Sequence, residues 1–168
     1  MTNIEDKVKA IVIPSGNPEW NRERMKTAIE VNEKSGLNVP YIISGIGPDM
    51  NDVLFGDSNG KVHDFHQDLY DYMMQNTEGV IGMDILSTSS VGNILNTFPP
   101  SVSGRYMIVS YPLHLKRFKR IVEKAKKEGK VSQDLDLEYI PTSRFSSPKQ
   151  IFYETARTII KSLQGLRF

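Results

Sequence analysis

The chain has 168 residues, 39% of them hydrophobic and 24% charged, with a formal net charge of +1 and no cysteine. That length suffices for one domain with a full core. The near-neutral charge excludes a surface that coats nucleic acid generally, and the missing cysteines exclude disulfides and thiolate metal sites.

The opening MTNIEDKVKA is polar and carries acids, unlike a signal peptide. No apolar run approaches the roughly 20 residues of a membrane helix. The expectation is a soluble, cytoplasmic protein, one domain over 1–168, with no membrane partner.

Val8 to Ile13 reads as a first strand, stopped by the cluster Pro14-Ser15-Gly16-Asn17-Pro18. A helix over Glu19 to Lys34 follows, with Met25, Ala28 and Ile29 inward and Gly36 at its C-terminal cap. Val39 to Ser44 is a second apolar strand ending at Ser44-Gly45, which completes a βαβ unit of the usual right-handed kind. Residues 46–62 show no periodicity and are rich in Gly, Asp and Asn. A loop that long is functional or disordered, and this one could lie over a site.

Asp64 to Asn76 reads as a helix with Phe65, Leu69, Tyr72 and Met73 on one face. A short third strand near Val80 to Leu86 leads into Ser87-Thr88-Ser89-Ser90-Val91-Gly92-Asn93, a hydroxyl-rich loop that enters a short helix. Arg105 to Arg120 then carries a fourth strand, a sharp turn and a basic helix. Tyr106 to Val109 is an uninterrupted apolar run, as in a parallel sheet covered on both faces. Pro112 suits a first helical turn, and Leu115, Phe118, Ile121, Val122 and Ala125 recur at helical spacing. Gly129 ends that helix. Leu137 to Ile140 is a fifth strand, and Ser147-Pro148-Lys149-Gln150 opens a last helix with Ile151, Phe152, Thr155, Ala156 and Ile159 on one stripe. Strands alternating with helices predict a single α/β layer sandwich.

Three strand ends carry similar residues: Ser15-Gly16, Ser44-Gly45 and Ser110. Glycine lets backbone approach a ligand, and serine offers a hydroxyl and an amide. Parallel strands open to one edge, where ligands of open α/β sheets bind, and a helix N-terminus there favours an anion. His114, one turn into the helix after the fourth strand, is the candidate proton-transfer group. Arg117, with Lys116, is early enough in that helix to reach an anion. Arg22 or Arg24, within one turn of the first loop, could supply a guanidinium fork.

Between His114 and Lys130 the chain holds eight Lys or Arg against two Glu. Lys124, Lys126, Lys127 and Lys130 suit the C-terminal dipole of the helix and read as a solvated face, so nucleic acid is not an expected partner. His63 and His66, with Asp64 or Asp68, fit no established metal pattern, and no metal is expected. The methionines Met73, Met74 and Met83 read as core filling. GxxxxGK[ST], GxGxxG after the first strand, and GxSxG are all absent. Their absence argues against a P-loop NTPase, ordinary NAD binding and a typical α/β-hydrolase.

Together these motifs resemble the YdcF/SanA/ElyC family, a Rossmann-like group of largely uncharacterised activity. AIVIPSG matches its first strand and glycine-bearing loop, Arg22 or Arg24 its helix-borne arginine, and YIISG its second strand. Ser87, Ser90 and Asn93 match its S-x-x-T-x-E-N segment, with Gly92 where glutamate is usual. Ser110, His114 and Arg117 match its Thr/Ser-x-x-x-His-x-x-Arg. The resemblance spans about Ala10 to Pro141. The family's acidic residue after the second Ser-Gly is not obvious here; Asp49, Asp52 or Asp64 could substitute. The resemblance implies a soluble, YdcF-like protein. One member of that branch binds S-adenosylmethionine, which implies a nucleotide-like ligand.

The expected fold is a five-stranded parallel sheet of order 3-2-1-4-5 with helices on both faces. Its switch-point crevice would be lined by Ser15, Gly16, Ser110 and His114, bordered by Ser44 and Gly45, with the Ser87 to Asn93 loop further out. The expected function is binding of an anionic, nucleotide-like small molecule, S-adenosylmethionine being a candidate, by a transferase or hydrolase. The alternative is a non-catalytic module that senses a metabolite.

Overall fold

The computed structural model describes residues 7–15, 18–45, 65–84, 86–87, 89–142 and 152. In chain order the elements are β1 (Val8–Pro14), α1 (Pro18–Ser35), β2 (Tyr41–Ser44), α2 (Phe65–Asn76), β3 (Ile81–Asp84), α3 (Ser90–Thr97), β4 (Gly104–Ser110), α4 (Pro112–Lys127) and β5 (Leu135–Pro141). The strands form one all-parallel sheet of order β3-β2-β1-β4-β5. This is the order expected from the strand–helix alternation, and the fold is a Rossmann-like α/β sandwich.

Apolar alternation explains the layers. Side chains point to opposite faces at successive strand positions. Ile11 and Ile13 of β1 and Met107 and Val109 of β4 pack with Met25, Ala28 and Ile29 of α1 and Met73 of α2. Val12 and Ile108, one step out of phase, pack on the other face with Ile94 and Phe98 at α3 and Leu115, Phe118, Ile121 and Val122 of α4. With both faces covered, the central strands read as continuous apolar runs. Gly36 and Gly129 take positive φ just beyond α1 and α4, where the helix ends were expected.

The differences are local. β2 starts at Tyr41 rather than Val39, because Pro40 has no amide to donate and Asn32 takes both backbone groups of Val39. The Asn32 amide donates to the Val39 carbonyl at 2.9 Å, and Val39 N donates back to Asn32 Oδ1 at 3.2 Å. β5 is longer than expected, because it pairs with the whole of β4, from Gly104↔Leu135 to Ser110↔Pro141. Met73 is core, but Met74 is 54% exposed: one helical position further on, its side chain has turned about 100° off the buried stripe. Met83 is only half-buried, since β3 is an edge strand. Of the expected last helix only Phe152 is described; it is helical and exposed, not inward. Among the described residues, no helix is long and apolar enough to cross a membrane.

Candidate active site at the carboxyl edge of the sheet

The strand ends line up across the sheet. Pro14 is level with Ser44, Ser44 with Asp84, and Ser110 with Pro141. Parallel pairing therefore gathers Ser15, Ser44, Asp84, Ser110 and Thr142 along one edge although they are far apart in sequence. Ser15 is tied to this row by its amide, which donates to the Ser44 carbonyl at 2.6 Å. Thr142 N donates to the Ser110 carbonyl at 3.0 Å. β1 and β4 are neighbours, with Val12 level with Ile108. Their connections leave in opposite directions, and that divergence makes the switch point.

Two polar clusters occupy the α3 and α4 side of this edge. In the first, Ser110 Oγ lies 2.8 Å from His114 Nδ1, as i and i+4 across the strand-to-helix turn. His114 Nε2 lies 3.4 Å from Ser90 Oγ, which also accepts a hydrogen bond from Arg117 Nη2 at 3.0 Å. Ser110, His114 and Ser90 are 0%, 3% and 5% exposed. The His114 ring also meets Phe118 edge-on, which fixes its plane.

In the second cluster, the Asp84 carboxylate accepts a very short bond from Ser87 Oγ and one from Leu86 N at 3.0 Å. Ser44 Oγ accepts from Thr97 Oγ1 at 2.9 Å. It shares its own proton between two long contacts, Asp84 Oδ2 at 3.4 Å and the Asn93 carbonyl at 3.3 Å. Asn96 Nδ2 donates to Ser87 Oγ at 2.7 Å. Gly45 has φ of +86°, and a Cβ built there would collide with the Asn93 carboxamide. Asn93 Oδ1 and Thr142 Oγ1 are buried without a hydrogen-bond partner among the described residues.

The third feature is Arg24, which is 2% exposed. Its Nη1 donates to the Pro14 carbonyl at 2.5 Å, and its guanidinium lies 5.1 Å from the centre of the Tyr111 ring. Tyr111 is further held by Trp20, edge-on, and by its hydroxyl donating to Glu23 Oε2 at 2.7 Å. Arg24 thus joins the end of β1 to the start of α4. Tyr111 occupies the N-cap of α4 and makes no side-chain cap bond, and Pro112 opens the helix. No protein-family model, curated protein or solved structure matches the chain.

The expected residues distribute as follows. Ser44, Ser87, Ser90, Asn93, Ser110, His114 and Arg117 all come to this edge. The Ser87 to Asn93 segment does not lie further out as a whole, because α3 runs back over the sheet and delivers Ser90 to His114. Of the two candidate arginines, Arg24 turns to the switch point and Arg22 is exposed to solvent. Lys116 is also exposed. Gly16, His63, Asp64, Asp49 and Asp52 lie outside the described residues; His66 falls within α2. No group of three or more His, Asp or Glu among the described residues is arranged to hold a metal.

The sequence reading missed Asp84, Thr97 and Asn96. Asp84 ends β3, but the expected third strand ran on to Leu86, which hid its place at the edge. Thr97 and Asn96 carry no signal, because they matter only through the angle at which α3 crosses the sheet.

Chemically, the edge offers hydroxyls, one imidazole, two guanidiniums and, at the β3 end, the Asp84 carboxylate. Helix N-termini stabilise negative charge, and arginine matches planar or tetrahedral oxyanions by paired donation.

Proposed function

We propose that the crevice between β1 and β4 binds an anionic, nucleotide-like small molecule, in a cytoplasmic protein of the YdcF/SanA/ElyC kind. S-adenosylmethionine, which carries a carboxylate and a nucleoside, is one candidate. The observation that carries this reading is the start of α4. Its N-cap residue leaves the first-turn amides without a side-chain acceptor, and the buried Arg24 guanidinium stands against that same residue. An anion bound there would meet the positive end of the helix and the guanidinium together.

Thermal denaturation of the full chain with inorganic phosphate, AMP, ATP, sugar phosphates and S-adenosylmethionine tests it. At a hundredfold excess over Kd, a ligand selective for the native state contributes about 2.7 kcal/mol, or about 5–10 °C in Tm for a chain of this size. At least one compound should do this, and Arg24→Gln should remove most of its shift. A flat panel, or a shift untouched by Arg24→Gln, overturns the reading.

One observation favours the non-catalytic alternative. Ser90, Ser110 and His114 are all nearly fully buried. A metabolite sensor of this kind would bind the same ligand and leave it unchanged.

A further inference from the structure

We propose that Ser90 is an activated nucleophile for phosphate esters, with His114 as its base, Arg117 as the cation at its oxygen and Ser110 as the residue that positions the imidazole. This rests on the anion-binding reading of the same edge and adds a reaction to it.

The geometry around Ser90 Oγ suits these roles. Arginine only donates, so the 3.0 Å contact from Arg117 Nη2 uses a lone pair of Ser90 Oγ. We assign the Ser90 proton to the 3.4 Å contact with His114 Nε2, the tautomer in which the imidazole accepts; the opposite tautomer would leave Ser90 an acceptor only. With Nε2 accepting, Nδ1 carries the ring proton and donates to Ser110 Oγ at 2.8 Å. Nucleophile, base and orienting group therefore follow one another in a line.

Ser90 is not needed to cap its own helix. Ser89 does that, its Oγ accepting from Gly92 N at 3.1 Å. Nor does packing call for the arrangement. Tying α3 to α4 with apolar side chains would avoid burying an imidazole beside a guanidinium. Arg117 at the attacking oxygen places positive charge where a phosphoryl group develops its negative charge, which favours phosphate over carboxylic esters.

The step balances without a co-reactant other than water. Ser90 Oγ forms a bond to phosphorus while its proton passes to His114 Nε2. The bond from phosphorus to the ester oxygen breaks, and that oxygen takes the proton as the alcohol leaves. Water, deprotonated at the same nitrogen, then attacks phosphorus, the bond to Ser90 Oγ breaks, and Ser90 takes the proton back from His114 as phosphate leaves.

Two measurements on the full chain decide it. A fluorophosphonate probe, followed by peptide mass spectrometry of the wild-type protein, should leave its adduct on Ser90. Hydrolysis of p-nitrophenyl phosphate should fall to background in Ser90→Ala and about a hundredfold or more in His114→Ala, the usual contribution of a general base. Ser110→Ala should lower the rate and displace its pH profile, and Ser110→Thr should restore both. An adduct elsewhere, no adduct, an adduct without phosphate-ester turnover, or turnover that survives Ser90→Ala each overturns the proposal. The adduct map uses wild-type protein, so it does not depend on whether His114→Ala folds. A thermal shift with inorganic phosphate that persists in Ser90→Ala, alongside a negative adduct map, would leave the anion site standing and remove only the nucleophile.

Discussion

At position 45 two constraints meet: a φ of +86° and an Asn93 carboxamide lying where a Cβ would go. An L-residue in the left-handed region costs roughly 1–2 kcal/mol by itself. Gly45→Ala must in addition push Asn93 off the Ser44 carbonyl, to which its Nδ2 now donates at 3.4 Å. We expect a loss of about 2–3 kcal/mol in urea unfolding, at the upper end of what one substitution usually does. A loss under about 1 kcal/mol would show that Asn93 can move aside freely. At this scale some of the site was legible. Ser110, His114 and Arg117 sit at i, i+4 and i+7, so one helical face had to carry the last two. Arg24 was legible too, had the phase of α1 been followed. Asn21, Arg24, Met25, Ala28, Ile29 and Asn32 form one buried stripe, and Arg22 is off it.

At the scale of elements, the connection from α1 to β2 shows how one polar side chain replaces a run of secondary structure. Asn32 is 7% exposed and serves Val39 at both its amide and its carbonyl, while its Nδ2 also donates to the Tyr41 hydroxyl at 2.8 Å. Asn32→Ala leaves a buried donor and a buried acceptor without partners, at about 1–3 kcal/mol each. We expect a total on the order of 3 kcal/mol in urea unfolding, with the start of β2 losing amide-exchange protection before β1 does. Uniform loss across the sheet would show that β2 has no separate dependence on this tie. α3 teaches the complementary lesson. Its existence follows from the spacing of Val91, Ile94, Leu95 and Phe98, but its crossing angle does not. That angle is set by Ile94 and Phe98 seating in the α4 side of the core. The contacts of Ser90 with His114 and of Thr97 with Ser44 depend on it, which is why no local pattern announces them.

For the molecule as a whole, the α/β layering was legible in the alternation of strands with helices, and burial falls off from the centre of the sheet to its edges. Ala10 to Ile13 of β1 and Met107 to Val109 of β4 are buried apolar runs at the centre, whereas the edge strands β3 and β5 are only half-buried over most of their length. The same gradient of burial has a consequence at high pH. On the α3 and α4 face, Tyr106 and Tyr139 lie on adjacent strands, Tyr139 being level with Ile108. Burial pushes the Tyr106 phenol above its ordinary 10.0. Burial, helped by the negative charge of Glu123, pushes Tyr139 from 10.0 to about 12. The native state thus keeps protons that the unfolded chain releases near pH 10. The stability they support is complete below pH 10 and is lost as pH rises from 10 toward 12. The urea midpoint should therefore fall across that interval, and Tyr139→Phe, which has no proton to lose, should flatten the fall. Lysines titrate in the same range, so the informative quantity is the difference between the two proteins. Parallel curves for wild type and Tyr139→Phe from pH 10 to 12 would mean that the phenol reaches solvent in the native state and that this face of the sheet is less closed than its packing shows.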